Sequence, residues 1–345
     1  MKITIVGAGA IGGVTGAHLI RAGHEVTFVD LAEDHVVKMN ADGLRIEGVR
    51  GEFVVSARAI TPAQVAEPLG AVVLAVKAMH TEVATRQLLP FLTPSSYVIS
   101  LQNGLNEETI ARVVGVERTI GAHINWAADY LGPGHIVHGG EGSFYLGELD
   151  GSRTARVQEL HDAFSVFTEA VITDNIWGYL WSKQCLASIN YFTALADADV
   201  ADILAGEDNR RTAVALVGES IEVAERSGVL LEAFDGFQPG LMRPRSAAEW
   251  RLALDSFDGL LDTLWRQIKR RTGIWRDLAV RRRKTEVDLR VTDLVNRGRA
   301  LRLPMTLNAR LAEMIHEIED GRRPLRWQNL EELGELAREL GRTGE

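Results

Sequence analysis

Near the start of the chain, Gly7-Ala8-Gly9-Ala10-Ile11-Gly12 follows the apolar run Ile3-Thr4-Ile5-Val6 and precedes a helical stretch from Ile11 to Ala22. Three glycines at this spacing suit a phosphate cradle. Gly7 makes a tight turn, Gly9 lets a pyrophosphate approach the backbone, and Gly12 lets the helix pack closely on the strand. The anion then rests on free N–H groups at a helix N-terminus. A second apolar run, Glu25 to Val29, ends at Asp30, and no Lys or Arg follows until Lys38. A carboxylate there accepts both ribose hydroxyls of an adenosine and repels a 2′-phosphate. The pattern predicts an NAD(P)H site in which Asp30 favours NADH over NADPH. Two more polar positions close apolar runs: Lys77 after Ala71 to Val76, and Asn103 in Gln102-Asn103-Gly104 after Val98 to Leu101. Ligands of open α/β sheets sit at such strand ends, so both join Gly7, Ala8, Gly9, Ala10, Ile11, Gly12 and Asp30 as cofactor-site candidates. Taken singly, Lys77 reads as a solvated lysine and Asn103 as a turn former before glycine.

The elements that must hold these residues alternate. Strand-like runs at Ala71 to Val76, Tyr97 to Leu101 and Thr119 to Ile124 are separated by helical patterns near Thr81 to Leu89 and Glu107 to Val114, which predicts a parallel sheet with helices on both faces. His135 to His138 and Ser143 to Leu149 read as an antiparallel hairpin closing that sheet. Beyond about Asp174 the strand signals stop, and helices are expected near 177–195, 209–227, 246–270, 276–300 and 305–319. The expected domains are therefore 1–172, an α/β Rossmann domain, and 173–345, an all-α domain.

Composition narrows the function. The 345 residues exceed one ordinary core, and 46% hydrophobic with 25% charged residues is a globular balance. A formal charge of −9 disfavours nucleic acid or an anionic membrane as partner. Cys185 is the single cysteine, which excludes an intrachain disulfide and a cysteine-based zinc cluster. Nor do the histidines pair at metal-ligand spacing; His123 is the best placed for a site margin. A strand beginning at Lys2 leaves no room for a signal peptide, and no apolar run reaches membrane-span length, so a cytoplasmic protein is expected.

Along nearly its whole length the sequence resembles the ketopantoate reductase (2-dehydropantoate 2-reductase) family. The resemblance is carried by the glycine motif, Val76-Lys77-Ala78-Met79-His80-Thr81, Leu101-Gln102-Asn103-Gly104, Pro133-Gly134-His135-Ile136-Val137-His138 with Gly147-Glu148, Leu180-Trp181-Ser182-Lys183, Arg283-Lys284-Thr285-Glu286-Val287-Asp288 and Leu303-Pro304, all in order. It implies a Rossmann domain followed by a 6-phosphogluconate dehydrogenase-like helical domain. It also implies hydride transfer from a nicotinamide to a 2-keto acid, in the family the 2-dehydropantoate of pantothenate biosynthesis, with a homodimer admitted but not required. By the same resemblance Lys183 is the catalytic lysine, which meets the alkoxide formed on hydride addition and donates its proton, and Glu286 is the acid beside it.

The departures lie where substrate is held. The family's two asparagines, four and eight residues after the lysine, correspond to Ala187 and Tyr191; Asn190 stands one residue out of register, and Ser188 is a further substitute. The family serine that binds the substrate carboxylate has no counterpart, and Thr272, or an arginine between 276 and 283, is the candidate replacement. Leu31 replaces the basic residue that reads NADP. The stretch Phe234 to Arg271 is longer than the family norm and carries Trp250 and Trp265 at helical spacing, for a lid, a subunit contact or buried packing. A reductase of another keto or imino acid, or a non-catalytic nucleotide sensor on the same fold, remains the alternative.

Overall fold

The apolar runs at the start of the chain become the middle of a parallel sheet. The computed structural model describes residues 1–266 and 270–344, and divides them into two units, Met1–Leu180 and Trp181–Glu345, rather than at 172/173.

The first unit contains strands β1 (Lys2–Val6), β2 (Glu25–Val29), β3 (Leu44–Gly48), β4 (Phe53–Val55), β5 (Arg58–Ile60), β6 (Leu69–Leu74), β7 (Leu92–Ser100), β8 (Thr119–Ile124), β9 (Ala127–Gly132), β10 (His135–Gly140), β11 (Phe144–Glu148) and β12 (Ala170–Ile172). Eight form one sheet in the order β12-β11-β8-β7-β6-β1-β2-β5, parallel throughout except where β11 runs against β8. Helices cover both faces of such a sheet, so its central strands are apolar on both sides. Ile3, Ile5, Ala71 and Val73 enter one buried cluster while Val6, Val72, Leu74 and Val98 enter another. The helices are α1 (Ala10–Arg21), α2 (Glu33–Asp42), α3 (Thr81–Leu88), α4 (Glu107–Val114) and α5 (Ala155–Phe164).

The expected hairpin does not form. β10 pairs with β9 and β3 in a separate four-stranded sheet, β4-β3-β10-β9, whereas β11 joins the main sheet. Glycines 139, 140 and 142 between the two apolar pieces let the chain pass from one sheet to the other instead of turning back.

Helices build the second unit: α6 (Ile176–Phe192), which carries the 180/181 division, α7 (Val200–Ala205), α8 (Glu207–Arg226), α9 (Ala247–Arg266), α10 (Gly273–Ala279), α11 (Asp293–Ala300), α12 (Thr306–Glu319) and α13 (Gln328–Glu339). Residues 267–269 of the helix expected over 246–270 lie outside the described residues, as does the side chain of Trp265. The helix expected over 276–300 is broken. Arg281 and Arg283 fold back onto the buried Asp277, at 3.1 and 2.9 Å, with Arg282 at φ 49°, and helix resumes only through a π turn at Asp288–Thr292. No described helix is long and apolar enough to cross a membrane.

Polar side chains lock α6, α8 and α12 together in the interior. Ser188 Oγ donates to Asn308 Oδ1 at 2.7 Å and meets Ser220 Oγ at 2.9 Å; Asn308 Nδ2 donates to Leu216 O and to Glu219 Oε2. The Glu219 carboxylate also accepts from the backbone N–H groups of Leu307 and Asn308, satisfying donors at the start of α12. Asn308→Ala strands several of these groups and is expected to cost about 2–3 kcal/mol in urea unfolding, against less than about 0.5 kcal/mol for exposed Glu313→Ala.

Candidate active site

At the end of β1, Gly7 takes φ +95° and donates its N–H to Val29 O at 2.8 Å. A Cβ there would lie 2.8 Å from Ala75 C and Val76 N, and one on Gly12 would lie 2.0 Å from Gly7 O. A Cβ on Gly9 would meet nothing within 4 Å, so the backbone is open to a ligand at the position where a pyrophosphate is expected. No acidic residue occupies the first turn of α1, which starts at Ala10 and Ile11. The turn fits a dinucleotide phosphate.

Asp30 is drawn into the same turn. Its Oδ2 accepts from Ala8 N at 2.7 Å and its Oδ1 from Ala32 N at 2.9 Å. A carboxylate has about four acceptor sites, so two remain for ribose hydroxyls. His35, which the sequence reading did not single out, supports the turn from behind: Gly134 N donates to its Nδ1 at 2.9 Å, so Nε2 carries the proton and donates to Ala8 O at 2.9 Å. Its partners lie 27 and 99 residues away, and a buried histidine on α2 gives no sequence signal of that bridge.

Lys77 is half-buried and Asn103 exposed, each just beyond a strand end. Their loops are tied by side chains: Gln102 Nε2 donates to Val76 O at 2.7 Å and to Thr81 Oγ1 at 2.8 Å, and Asn106 Nδ2 donates to Asn103 O at 2.7 Å. Thr81 and Asn106 therefore set the two loops, which their shared place at strand ends already groups. His123 is buried, with Nδ1 at 3.2 Å from Tyr179 O and Nε2 at 3.2 Å from Ser143 Oγ.

In the second unit, α6 is unbroken helix, and its half-buried positions after residue 180 are Lys183, Leu186 and Asn190. These are spaced i, i+3 and i+7, one helical face. Ala187 and Tyr191, four and eight residues on, flank the same face and are buried, Tyr191 near enough to Arg290 and Glu286 for their charges to act on it, and Ser188 is sealed in the α6–α8–α12 network. Asn190 is thus half-buried on the face of Lys183, where Ala187 and Tyr191 are buried.

Burial pushes the Lys183 amine down to about 7 and the Arg290 guanidinium adds to the depression, while the carboxylates of Asp235 and Glu286 pull it back up. Glu286 sits half-buried just after Thr285, whose N–H and Oγ1 both donate to Glu319 Oε1 at 2.7 Å. Asp235 was missed. It lies in Phe234-Asp235-Gly236-Phe237, where Asp235 (φ 44°) and Gly236 (φ 80°) are both left-handed and Phe234 and Phe237 exchange N–H···O bonds of 3.1 and 2.7 Å. An Asp-Gly pair is the usual signal for such a turn, so the turn was legible and its carboxylate's destination was not. The long 234–271 stretch thereby delivers a carboxylate to the lysine. Trp250, within it, lies under the Arg211 guanidinium at 5.6 Å.

Thr272 accepts from Trp275 N at 3.1 Å as the N-cap of α10. Among the described residues, no group of three or more His, Cys, Asp or Glu is arranged to hold a metal ion.

Family models for ketopantoate reductase PanE/ApbA and for its C-terminal region match residues 3–151 and 175–319. The chain belongs to the ketopantoate reductase family. A 2-dehydropantoate 2-reductase of Mesorhizobium japonicum is 33% identical over 255 residues, 66% of this chain and 77% of that one. A PanE/ApbA family ketopantoate reductase from Ralstonia eutropha superposes with a TM-score of 0.77 at 28% identity, covering 93% of this chain and 99% of its own. D-mandelate dehydrogenase, solved with NADH and anilino(oxo)acetate, shares the fold at a TM-score of 0.82 and 23% identity, covering 93% and 99%. Members of this family are nicotinamide-dependent reductases, and this one is ketopantoate-reductase-like.

The charge arrangement predicts a titration. Lys183, followed by NMR of 13C-labelled lysine, is expected to lose its proton near pH 7 rather than near 10.5. Removing either carboxylate takes away a partner of the ammonium, so Asp235→Asn and Glu286→Gln should each lower that midpoint, Asp235→Asn by more. A midpoint unmoved by both substitutions would separate the lysine from them.

Proposed function

We propose that the protein reduces a 2-keto acid with NADH in preference to NADPH, with Lys183 as the proton donor. What supports this reading is the surroundings of Lys183, a lysine on α6 under the charges of Asp235, Glu286 and Arg290, at the place where the family resemblance puts the proton donor. A bound reduced nicotinamide supplies the hydride. Gly7, Ala8, Gly9, Ala10, Ile11 and Gly12 hold the pyrophosphate on their backbone, Asp30 holds the ribose, and Lys77 and Asn103 border the nicotinamide end. As the ketone oxygen gains charge, the Lys183 ammonium neutralises it and passes on its proton; an acid of about this strength can give and regain a proton at neutral pH. Glu286 and Asp235 keep that nitrogen protonated and aimed.

Asn190, on the face of Lys183, offers its amide to the substrate's polar groups, and Thr272 still has a hydroxyl proton to donate. Leu186 stands on the same face, which supports a substrate with a larger apolar or less hydroxylated substituent than 2-dehydropantoate. The fold shared with D-mandelate dehydrogenase agrees with that direction.

Three measurements test the reading. Lys183→Ala should slow single-turnover hydride transfer by roughly two to four orders of magnitude while NADH still binds; lost NADH binding would put the residue on the cofactor. NADH should bind more tightly than NADPH, and Asp30→Ala should narrow the gap; a tenfold preference for NADPH, about 1.4 kcal/mol, contradicts the role given to Asp30. Across a keto acid series, an apolar 2-keto acid should match or exceed 2-dehydropantoate in kcat/KM. A clear preference for 2-dehydropantoate at about 10⁴ M⁻¹s⁻¹ or more would return it as the substrate.

A further inference from the structure

Arg290 is 6% exposed, and an arginine cannot shed its charge when buried. Its Nε donates to Gln184 Oε1 at 2.7 Å and its Nη2 to the Lys183 carbonyl oxygen at 3.1 Å. Gln184 completes the lock by donating Nε2 to Arg290 O at 3.1 Å and Leu289 O at 3.3 Å. Both acceptors of the guanidinium are neutral. Among the described residues no carboxylate reaches ion-pairing distance of it, although Glu286 is near enough for its charge to be felt. Nor does any described residue accept from Nη1, which is not among the buried atoms closed off from solvent. Removing a charge from water without a counterion is costly, and a protein retains such a charge where an anion completes it. The residue sits in the π turn Asp288–Thr292, the kind of local irregularity that recurs at functional sites.

We infer that Arg290 holds the carboxylate of the substrate beside Lys183. The assignment rests on the reading of the chain as a 2-keto acid reductase and supplies that reading's missing carboxylate partner. A 2-keto acid carries its carboxylate and its ketone on adjacent carbons, so the cation for the first must adjoin the proton donor for the second. Arg290 meets this condition through its bond to the backbone of Lys183 itself. A guanidinium with N–H groups to spare presents the planar fork that pairs bidentately with a carboxylate. The replacement expected at 272 or 276–283 is thereby moved to a residue that the sequence shows only as one arginine among many.

The test compares a 2-keto acid with its uncharged methyl ester, using benzoylformate or 2-oxoisovalerate, whichever the wild type turns over faster with NADH. In Arg290→Gln the ratio of kcat/KM for acid to that for ester should fall about tenfold or more relative to wild type, chiefly through KM for the acid, with Arg290→Lys between the two. NADH binding and the melting temperature, measured alongside, report folding. A ratio within about threefold of wild type in Arg290→Gln, with acid and ester losing equally, overturns the assignment and leaves a purely structural arginine. Should Arg290→Gln not fold, Arg290→Lys decides: an ammonium cannot form the fork, so a fall of about threefold supports the assignment and an unchanged ratio overturns it. Wild type that reduces neither of these acids nor 2-dehydropantoate brings down the reductase reading, and the role of Arg290 with it.

Discussion

An amine withdrawn from water must either give up its proton or be granted negative neighbours, and the second unit is organised around that constraint at Lys183. Burial alone would leave a neutral amine, and two carboxylates alone a permanent ammonium. The balance near neutrality needs α6 to bury the residue, the 234–237 turn and the Thr285–Glu286 segment to bring carboxylates, and the π turn to bring an opposing guanidinium. Each contributor is fixed by its own bonds: Asp235 by the left-handed turn, Glu286 by the Thr285–Glu319 contact beside it, and Arg290 by the exchange with Gln184. The helix itself is held by Ser188, which faces inward and pins it to α8 and α12.

The cofactor half was largely legible because its information is local. A turn that admits only glycine, followed by a helix and then by an acid at the next strand end, is written within 30 residues, and backbone geometry leaves few alternatives. Lys183 and Glu286 were legible through motifs, not through spacing. Asp235 and Arg290 were not, since chain folding alone brings them to the lysine, and locally each reads as turn or surface. The register of Asn190 needed the observed helix: along continuous α6 the seventh residue after Lys183 is half-buried beside it, whereas the fourth and eighth, flanking the same face, are buried.

The fold readings failed where periodicity cannot see partners. Apolar pieces at 135–138 and 143–149 announce strands, but nothing in their alternation says that they enter different sheets. The continuous helix expected over 276–300 follows from composition rich in arginine and leucine; a buried Asp277 that draws Arg281 and Arg283 back to it ends the helix instead. The final helix, Gln328–Glu339, with Leu330, Leu333 and Ala337 at helical spacing, lies beyond the helices expected from the sequence.

Asp30 is held in place by the protein's own backbone. With one oxygen on Ala8 N and the other on Ala32 N, its rotamer is chosen by the protein, and the conformational freedom that a mobile carboxylate would surrender on capture has been surrendered on folding. Immobilising one such side chain costs about 0.5–1.5 kcal/mol, so a preset acid returns that amount to the encounter. Asp30→Glu would keep the charge yet lose the angle: the longer stem cannot hold both amides at these distances, and recognition of the ribose would again depend on a side chain that must first be caught in the right pose.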